Sequence, residues 1–122
     1  MADFDVTGIG LNATDTLLVV ERFPSYACKV PCTDGCLSPL GQLASAMVVC
    51  AQLCLRVKYI GTVGDDLRGE VQMKSLRDSG INLDDVQQRK NCGNQSAYII
   101  IDQSTGERTV LWRRPECLRL SP

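Results

Sequence analysis

Two polar residues follow the first apolar stretch of the chain and have the chemistry of a ligand-binding pair. The segment Gly8-Ile9-Gly10-Leu11-Asn12-Ala13-Thr14-Asp15 places Asn12 and Asp15 where a first strand should end. In open α/β sheets, ligands bind beyond the carboxyl ends of the strands, and a carboxylate accepts hydrogen bonds from neighbouring hydroxyls. We therefore predict that both side chains contact the hydroxyls of a sugar. The alternative is an Asx turn that only joins two strands.

A second candidate lies where a buried helix begins, at Pro39-Leu40-Gly41-Gln42. Gly41 would let a ligand approach the backbone N–H groups of the helix N-terminus, where the helix dipole favours negative charge. We therefore include Gly41 and Gln42 among the candidate substrate contacts. The alternative is an ordinary helix start, with Ser38 as its cap.

The segment Gly61-Thr62-Val63-Gly64-Asp65 looks like an anion-binding loop with an attached acid. It leads from a predicted strand directly into a predicted helix, and aspartate is a preferred N-cap residue. We therefore favour N-capping by Asp65 or Asp66. The chain has no histidine and no Gly-x-x-x-x-Gly-Lys-Ser/Thr phosphate loop.

Seven cysteines are many for a chain of 122 residues. Five of them occur in groups with a spacing of four residues: Cys28, Cys32, Cys36, Cys50 and Cys54. Such thiols suggest a site for Zn²⁺ or an iron–sulfur cluster, although no C-x-x-C pair is present. The alternative is small buried hydrophobic side chains and a few exposed thiols. The odd count and the lack of a signal peptide argue against a disulfide framework.

Composition excludes several classes of partner. The net charge of −1 leaves no basic surplus for nucleic acid, so we expect no nucleic-acid partner. No apolar run is long enough to span a bilayer, and the acidic N-terminus is unlike a signal peptide. We therefore expect no membrane association and a cytoplasmic location. The length suits one domain, residues 1–122.

The elements that must position these residues form a βαβα core with added hairpins. We predict strands over residues 4–10, 16–20, 56–63 and 82–88, an irregular strand or loop over 29–36, and helices over 42–53 and from about 67 to 79. Gly80 is expected at the C′ position of the second helix. Residues 96–102 and 107–113 should form a hairpin across Gln103-Ser104-Thr105-Gly106. This order predicts an α/β fold with a parallel sheet, flanking helices and edge strands that project as a small β lid.

The combined motifs resemble the PfkB, or ribokinase, family of carbohydrate kinases. They occur in this order: Gly10-Leu11-Asn12-Ala13-Thr14-Asp15 with Glu21-Arg22-Phe23-Pro24, then Gly41-Gln42-Leu43-Ala44-Ser45-Ala46, Gly61-Thr62-Val63-Gly64-Asp65-Asp66 and Ser79-Gly80-Ile81. The resemblance implies a ribokinase-like, Rossmann-like partial domain. Residues 1–122 would correspond to the N-terminal portion of such a kinase, including the lid strands. The family transfers a phosphoryl group from ATP to a sugar hydroxyl.

The resemblance also implies roles for individual residues. Asp15 matches the aspartate that binds substrate hydroxyls, and Asn12 lies in the same loop. Gly41 matches the second glycine of a Gly-Gly pair, and Ser45 lies where an asparagine often touches the sugar. Ala97 and Ile99 match the lid strand that covers the substrate. All are substrate contacts, and none is a catalytic group.

Three departures from the family pattern bear on activity. Leu40 replaces the first glycine of the Gly-Gly pair. Cys54 replaces the glycine that normally ends the first helix, which would cost about 1 kcal/mol or more if the residue is left-handed. The Gly-Ala-Gly-Asp element, which supplies the catalytic base, does not occur in these 122 residues. ATP and Mg²⁺ are therefore implied for the intact family, whereas this chain alone is expected to bind neither and to be inactive.

Three hypotheses about function follow. The first is a truncated PfkB-type kinase that retains mainly the sugar-binding elements. The second is a non-catalytic module that forms homo-oligomers through its lid strands or an exposed sheet edge. The third is a metal-binding protein with cysteine ligands.

Overall fold

The computed structural model describes residues 3–121, so the first two residues and the last of the predicted domain lie outside it. Along the described chain, three strands come first, two helices separated by a fourth strand follow, and three more strands come last. The strands are β1 (Val6–Ile9), β2 (Ala13–Val20), β3 (Asp34–Leu40), β4 (Val57–Gly64), β5 (Val86–Arg89), β6 (Ser96–Asp102) and β7 (Arg108–Arg113), and the helices are α1 (Gln42–Gln52) and α2 (Leu67–Asp78). A short 3₁₀ turn, Glu116–Leu118, follows β7. Within residues 3–121, neither helix has the length and apolar character that crossing a bilayer requires.

The parallel layer consists of β1, β4 and β5 with helices α1 and α2. Its three strands are all parallel, in the order β1-β4-β5. The core of the protein lies here and includes Ala44, Met47, Val57, Tyr59, Leu76 and Ile81. Because β4 is central and covered by helices, its residues are buried or half-buried without strict alternation of apolar and polar types, as the sequence predicts.

The four-stranded sheet has the order β3-β2-β6-β7 and contains the strands predicted to form the lid. Strands β2 and β6 run parallel, whereas β3 and β7 pair antiparallel with their neighbours and form the edges. The predicted hairpin is confirmed, because β6 and β7 pair around residues 103–106. Strand β3 differs from the prediction: it begins at Asp34 and ends at Leu40, since its ladder with β2 continues as far as Ala13.

The two helices begin in different ways. Asp66 caps α2 by accepting a hydrogen bond from the Gly69 N–H at 2.9 Å, which confirms the N-capping interpretation. The first residue outside α1 is Gly41, with φ 107° and no side-chain cap, so the alternative in which Ser38 caps this helix is wrong. Ser38 instead lies within β3 and pairs with Asp15.

The helix C-termini share a geometry but not a residue type. Gly80, at the C′ position of α2, has φ 74° as predicted. Cys54 occupies the equivalent position of α1 with φ 63°, so the left-handed conformation considered for it is present. The Cys54 and Leu55 N–H groups donate to Ala51 and Cys50, which is the bonding pattern of a Schellman motif. A side chain therefore stands where the motif prefers glycine.

The cysteines form a disulfide, contrary to the expectation from their odd number. Cys92 is bonded to Cys117, 25 residues later. Of the five cysteines with a spacing of four, Cys28, Cys32, Cys36 and Cys54 are exposed and Cys50 is half-buried, so they are not mainly core residues. Residues 3–121 contain no group of three or more side chains that could hold a metal ion. This part of the chain thus contains no cluster that would support the cysteine-ligated metal hypothesis.

Candidate functional site

The pairing of β2 with its neighbours places Asp15 in a cross-strand row. Asp15 pairs with Ser38 on β3 and with Ala97 on β6, and Ala97 pairs in turn with Trp112 on β7. Directly paired residues point to the same face of a sheet. The row therefore groups a carboxylate, a hydroxyl, a methyl group and an indole ring that is 71% exposed. Such a combination can bind a ligand that carries both hydroxyls and apolar C–H surface.

Asp15 has an unusual electrostatic environment within this row. Burial raises the pKa of its carboxyl above the ordinary value of 3.8, against the smaller lowering effects of the Ala97 N–H and the Arg68 charge. Its Oδ1 is buried and has no hydrogen-bond partner among residues 3–121. A carboxylate oxygen without water or a donor is costly, and in native proteins such an atom calls for an explanation.

Asn12 lies at the start of β2 in a buried hydrogen-bond network. Its Nδ2 donates to the Tyr59 hydroxyl at 2.9 Å and to the Thr62 carbonyl at 2.7 Å, and its Oδ1 accepts from Asn94 Nδ2 at 3.0 Å. These partners belong to β4 and to the loop before β6, so the amide does not form an Asx turn with its own backbone. Asn12 is 4% exposed. Its role as a sugar contact stays a prediction, while its present contacts position the start of β2.

Gly41 allows α1 to begin against the start of β2. A Cβ atom at Gly41 would lie 2.6 Å from the Asn12 Cα and 2.7 Å from the Ala13 N, closer than real Cβ contacts. The Ala44 N–H donates to the Leu11 carbonyl at 3.2 Å, which fixes the first turn of α1 beside the same loop. Glycine is therefore required here for packing as well as for its positive φ.

The remaining predicted contacts lie at two places near this row. Gln42 is exposed and Ser45 is half-buried on the first turn of α1, and the Ser45 N–H donates to the Gly41 carbonyl. Ile99 is half-buried on β6 and pairs with Leu17, one row further from α1 than Asp15. The structure therefore brings Asp15 and Ala97 together, places Asn12 beside Gly41, and puts Ile99 in the next row.

Arg68 joins the four-stranded sheet to α2, a role that sequence analysis missed. Its guanidinium donates to the Thr14 carbonyl at 2.9 Å and to the Thr16 hydroxyl at 3.0 Å, and it lies 5.2 Å from the centre of the Tyr98 ring. The Thr14 hydroxyl donates back to the Arg68 carbonyl at 2.8 Å. Because Thr14 and Thr16 alternate with Asp15 along β2, this contact holds the face of the sheet opposite to the Asp15 row.

Trp112 and Ser38 were also missed, although the sequence contains a signal for Trp112. The Asp102 N–H donates to the Glu107 carbonyl, which closes the hairpin loop. Five residues before Asp102 is Ala97 and five residues after Glu107 is Trp112, so an antiparallel register pairs the two. The position of the hairpin loop therefore predicts their pairing. Ser38 had no such signal, because its partner β2 precedes it by an irregular connection.

Comparison with known proteins identifies relatives of the chain. The profile described as "pfkB family carbohydrate kinase" matches residues 4–122. A ribokinase of Dictyostelium discoideum is 27% identical over 107 residues, which cover 88% of this chain and 33% of that protein. A ribokinase of Schizosaccharomyces pombe is 36% identical over 56 residues, 46% of this chain and 17% of the relative.

Solved structures agree with these relatives. A structure from Agrobacterium tumefaciens superposes with a TM-score of 0.83 at 26% identity and covers 95% of this chain and 38% of that one. Arabidopsis thaliana ribokinase, solved with ribose and ATP, has a TM-score of 0.79 at 22% identity and covers 88% of this chain and 35% of that one. The predicted ribokinase-like α/β fold is thereby confirmed. The chain spans about a third of the length of these proteins.

Proposed function

Because the chain belongs to the pfkB family of carbohydrate kinases, we propose that it binds a sugar on the Asp15 row of the four-stranded sheet. In the intact kinase this sugar would receive a phosphoryl group from ATP. Ribose is the first ligand to test, since the Arabidopsis ribokinase structure contains ribose and ATP. The observation that carries the proposal is the buried, unpartnered Oδ1 of Asp15.

A sugar hydroxyl is a suitable partner for this oxygen. If rotation of the Asp15 side chain exposes Oδ1 to the ligand, the hydroxyl would donate a hydrogen bond to it and remove the cost of a desolvated acceptor, and hydrogen bonds to charged groups are worth about 1.5–3 kcal/mol. Ala97 and Ile99 would contact the apolar face of the ring, with Trp112 at the edge. Asn12, Gly41, Gln42 and Ser45 would line the side of the site next to α1, where the helix N-terminus favours electronegative groups.

The proposal assigns this chain to sugar binding and not to phosphate chemistry. Mg²⁺ is usually held by one or two carboxylates together with substrate phosphates and waters, and no group of three or more potential metal ligands marks a site within residues 3–121. We therefore derive no step through ATP or Mg²⁺ from these residues. A cytoplasmic location is part of the proposal, because the cytoplasm supplies ATP to the family reaction.

Calorimetric titration with ribose tests the site directly. Asp15→Asn keeps the shape of the side chain but removes its charge, and we expect binding to weaken about tenfold or more. Asp34→Asn, on β3 of the same sheet, is the matched control, because the Asp34 carboxylate bonds only to the neighbouring Gly35 N–H at 2.7 Å in the described contacts. Equal affinity of the parent and the Asp15 variant would show that the sugar, if bound, lies elsewhere.

A second function, homo-oligomerisation through the four-stranded sheet, is favoured by its exposed apolar residues. Five large hydrophobic side chains of this sheet are exposed: Leu37, Tyr98, Val110, Leu111 and Trp112. The strand pairings place Leu37, Tyr98 and Leu111 on one face of the sheet and Val110 and Trp112 on the Asp15 face. Monomeric proteins seldom leave large apolar patches uncovered, and β3 and β7 present edges that can pair with another chain.

Light scattering coupled to size-exclusion chromatography tests this second function. The parent chain should elute as a dimer or larger assembly at micromolar concentration, and Leu111→Lys should shift it toward the monomer. Val49→Lys, on the exposed surface of α1, is the control and should leave the mass unchanged. A parent chain that is monomeric throughout would rule out this function.

A further inference from the structure

The disulfide joins two segments that the proposed sugar site does not use. Cys92 lies in the loop between β5 and β6 and is 2% exposed. Cys117 is exposed and lies in the 3₁₀ turn of the segment after β7, residues 114–121, which we name the strap. The bond thus ties the strap to a buried point of the parallel layer.

The loop around Cys92 is held by many other contacts. Asp65 accepts from the Asn91 and Cys92 N–H groups at 2.7 and 3.1 Å, and these bonds hold the pKa of its carboxyl below the ordinary value. Asn94 Oδ1 accepts from the Gly64 N–H at 3.0 Å, and Asn94 also bonds to Asn12. The loop should therefore keep its position when the disulfide opens.

The contacts of the strap lie mostly at the surface, and they include hydrogen bonds from the Gln87 and Arg89 side chains to Ser121. The Thr62 hydroxyl donates to the Leu118 carbonyl at 2.5 Å, and Leu118 is buried. Arg114 donates to the Gln95 side chain at 2.9 Å, and Arg89 donates to the exposed Arg119 carbonyl at 2.7 Å. Within the described residues, the disulfide is the only covalent cross-link between the strap and the rest of the protein. Breaking it leaves the strap attached through the backbone and these hydrogen bonds.

The location of the strap connects it to the ligand-binding end of the sheet. With the ends of β1 and β4 it encloses a cavity of about 40 Å³, whose lining includes Gly10, Asn12, Thr62 and Leu118. The carboxyl ends of parallel strands are where α/β proteins bind ligands. The strap also continues directly from β7, so its anchoring restrains the strand that carries Trp112.

We propose that Cys92 and Cys117 form a redox switch that anchors the strap when oxidised and releases it, together with the end of β7, when reduced. As a form of regulation of the sugar site, this inference rests on the proposed function. Disulfides in cytoplasmic proteins are usually transient and often redox-sensing, and Cys117 is the exposed residue of the pair, on the side from which a reductant would approach.

The chemistry requires a dithiol reductant. One of its thiolates attacks the Cys117 sulfur, which breaks the S–S bond, forms a mixed disulfide and releases the Cys92 thiolate, which takes up a proton. The second thiol of the reductant then attacks the mixed disulfide and releases Cys117 as a thiol. In total, two electrons and two protons reach the protein, and the dithiol becomes a cyclic disulfide.

Hydrogen exchange followed by mass spectrometry tests the switch without any sugar. Oxidised protein should give a peptide pair cross-linked through Cys92 and Cys117, and dithiothreitol should remove it. On reduction, amides of residues 114–121 should exchange at least about tenfold faster, while those of residues 91–94 should change little. Cys117→Ser should match the reduced protein in both states, and Cys36→Ser, an exposed thiol on β3, should behave like the parent.

Equal strap exchange in the oxidised and reduced proteins would overturn the inference, as would the absence of the cross-linked pair after mild oxidation. Ribose titration of both states is a separate measurement. The oxidised protein is expected to bind ribose more tightly. Equal ribose affinity of the two states would contradict the claim that the disulfide regulates the sugar site. Failure of both states to bind ribose would contradict the proposed sugar function but leave the exchange result intact.

Discussion

The parallel layer and the four-stranded sheet are both rich in β-branched and aromatic residues, but they bury these residues to very different extents. In β4, Val57, Tyr59 and Val63 are at most 3% exposed. In β7, every residue is exposed, and Leu111 reaches 58%. The same residue types therefore serve different purposes in the two regions: the parallel layer supplies the core, and the four-stranded sheet leaves apolar surface available for contacts with other molecules.

The two regions are joined by polar contacts and not by a continuous core. Arg68 and Thr14 exchange hydrogen bonds between α2 and β2. Asn12 links the start of β2 to Tyr59 and Thr62 in β4. Such contacts have strict geometry, so they fix the position of the four-stranded sheet while leaving much of its apolar surface exposed.

Truncating one leucine in each region should give the largest difference. Leu76 of α2 is fully buried, and Leu76→Ala should lower the free energy of unfolding by about 3 kcal/mol because it leaves a cavity. Leu111→Ala, the matched change on β7, should cost about 0.5 kcal/mol or less. Urea denaturation at low protein concentration measures both values. Equal losses would mean that the four-stranded sheet has a core of its own.

Sequence analysis succeeded best in the parallel layer, for a physical reason. Its signals are local: Asp66 caps α2 by bonding to an N–H three residues later, Gly80 follows the same helix at its C′ position, and the lack of apolar–polar alternation in β4 indicates burial on both faces. These interactions span only a few residues, so composition and spacing are sufficient to predict them.

The four-stranded sheet depends on pairings that are distant in sequence. The β6–β7 hairpin is local and was predicted, but β2 pairs with β6 more than 80 residues away. The extent of β3 was misjudged because its partner and not its own composition determines it, and Pro39 is tolerated there since β3 is an edge strand. The Cys92–Cys117 bond likewise depends on which loops the fold brings together.

The candidate site shows the same division. Residue types alone selected Asn12 and Asp15, but they could not show that the Asn12 amide is engaged by Tyr59, Thr62 and Asn94. The environment of Asp15 depends on its neighbours in β3 and β6, and therefore on the complete sheet. The sequence could therefore predict which polar side chains lie in the candidate site. It could not predict which of their hydrogen-bonding atoms are already used by the protein and which are left for a ligand.

Removing the Asn12 side chain should have the next largest effect, because it breaks the junction between the two regions. Asn12→Ala leaves the Thr62 carbonyl and the Asn94 amide without a buried partner, which should cost about 2 kcal/mol. Asn82→Ala is the control, since its side chain bonds to Asp84 at the surface and should matter much less. The same denaturation experiment compares them. Similar losses of stability would show that the buried hydrogen bonds of Asn12 contribute no more than a surface contact.

Relieving the left-handed residue at the end of α1 should give a smaller, stabilising effect. Cys54→Gly removes a Cβ from a residue with φ 63° and should raise the free energy of unfolding by about 1 kcal/mol. Gly80→Ala introduces the same strain at φ 74° in α2 and should lower it by a similar amount. Cys54→Ser keeps the Cβ, so it should show no gain. A gain with serine would point to the thiol and not to the backbone.

Two aspartates, one in each region, should give opposite pH effects, the smallest of those considered. Burial raises the pKa of Asp15, so the folded protein favours the protonated carboxyl. The stability that this protonated form contributes at low pH is lost as the pH rises through the raised pKa. In the parallel layer, hydrogen bonds from Arg56 lower the pKa of Asp5 to about 2, so its contribution is present above the ordinary pKa and is lost as the pH falls toward 2.

Asparagine variants separate the two aspartates. At pH 7, Asp15→Asn should be more stable than the parent even though it binds sugar less well, whereas Asp5→Asn should be less stable. Both differences should shrink in acid, and NMR titration of the two carboxyl carbons gives their pKa values directly. An Asp15 pKa at or below the ordinary value would remove the argument that its buried oxygen is kept for a ligand. A raised value would mean that the four-stranded sheet gives up some stability to hold a binding group, which the parallel layer does not do at Asp5.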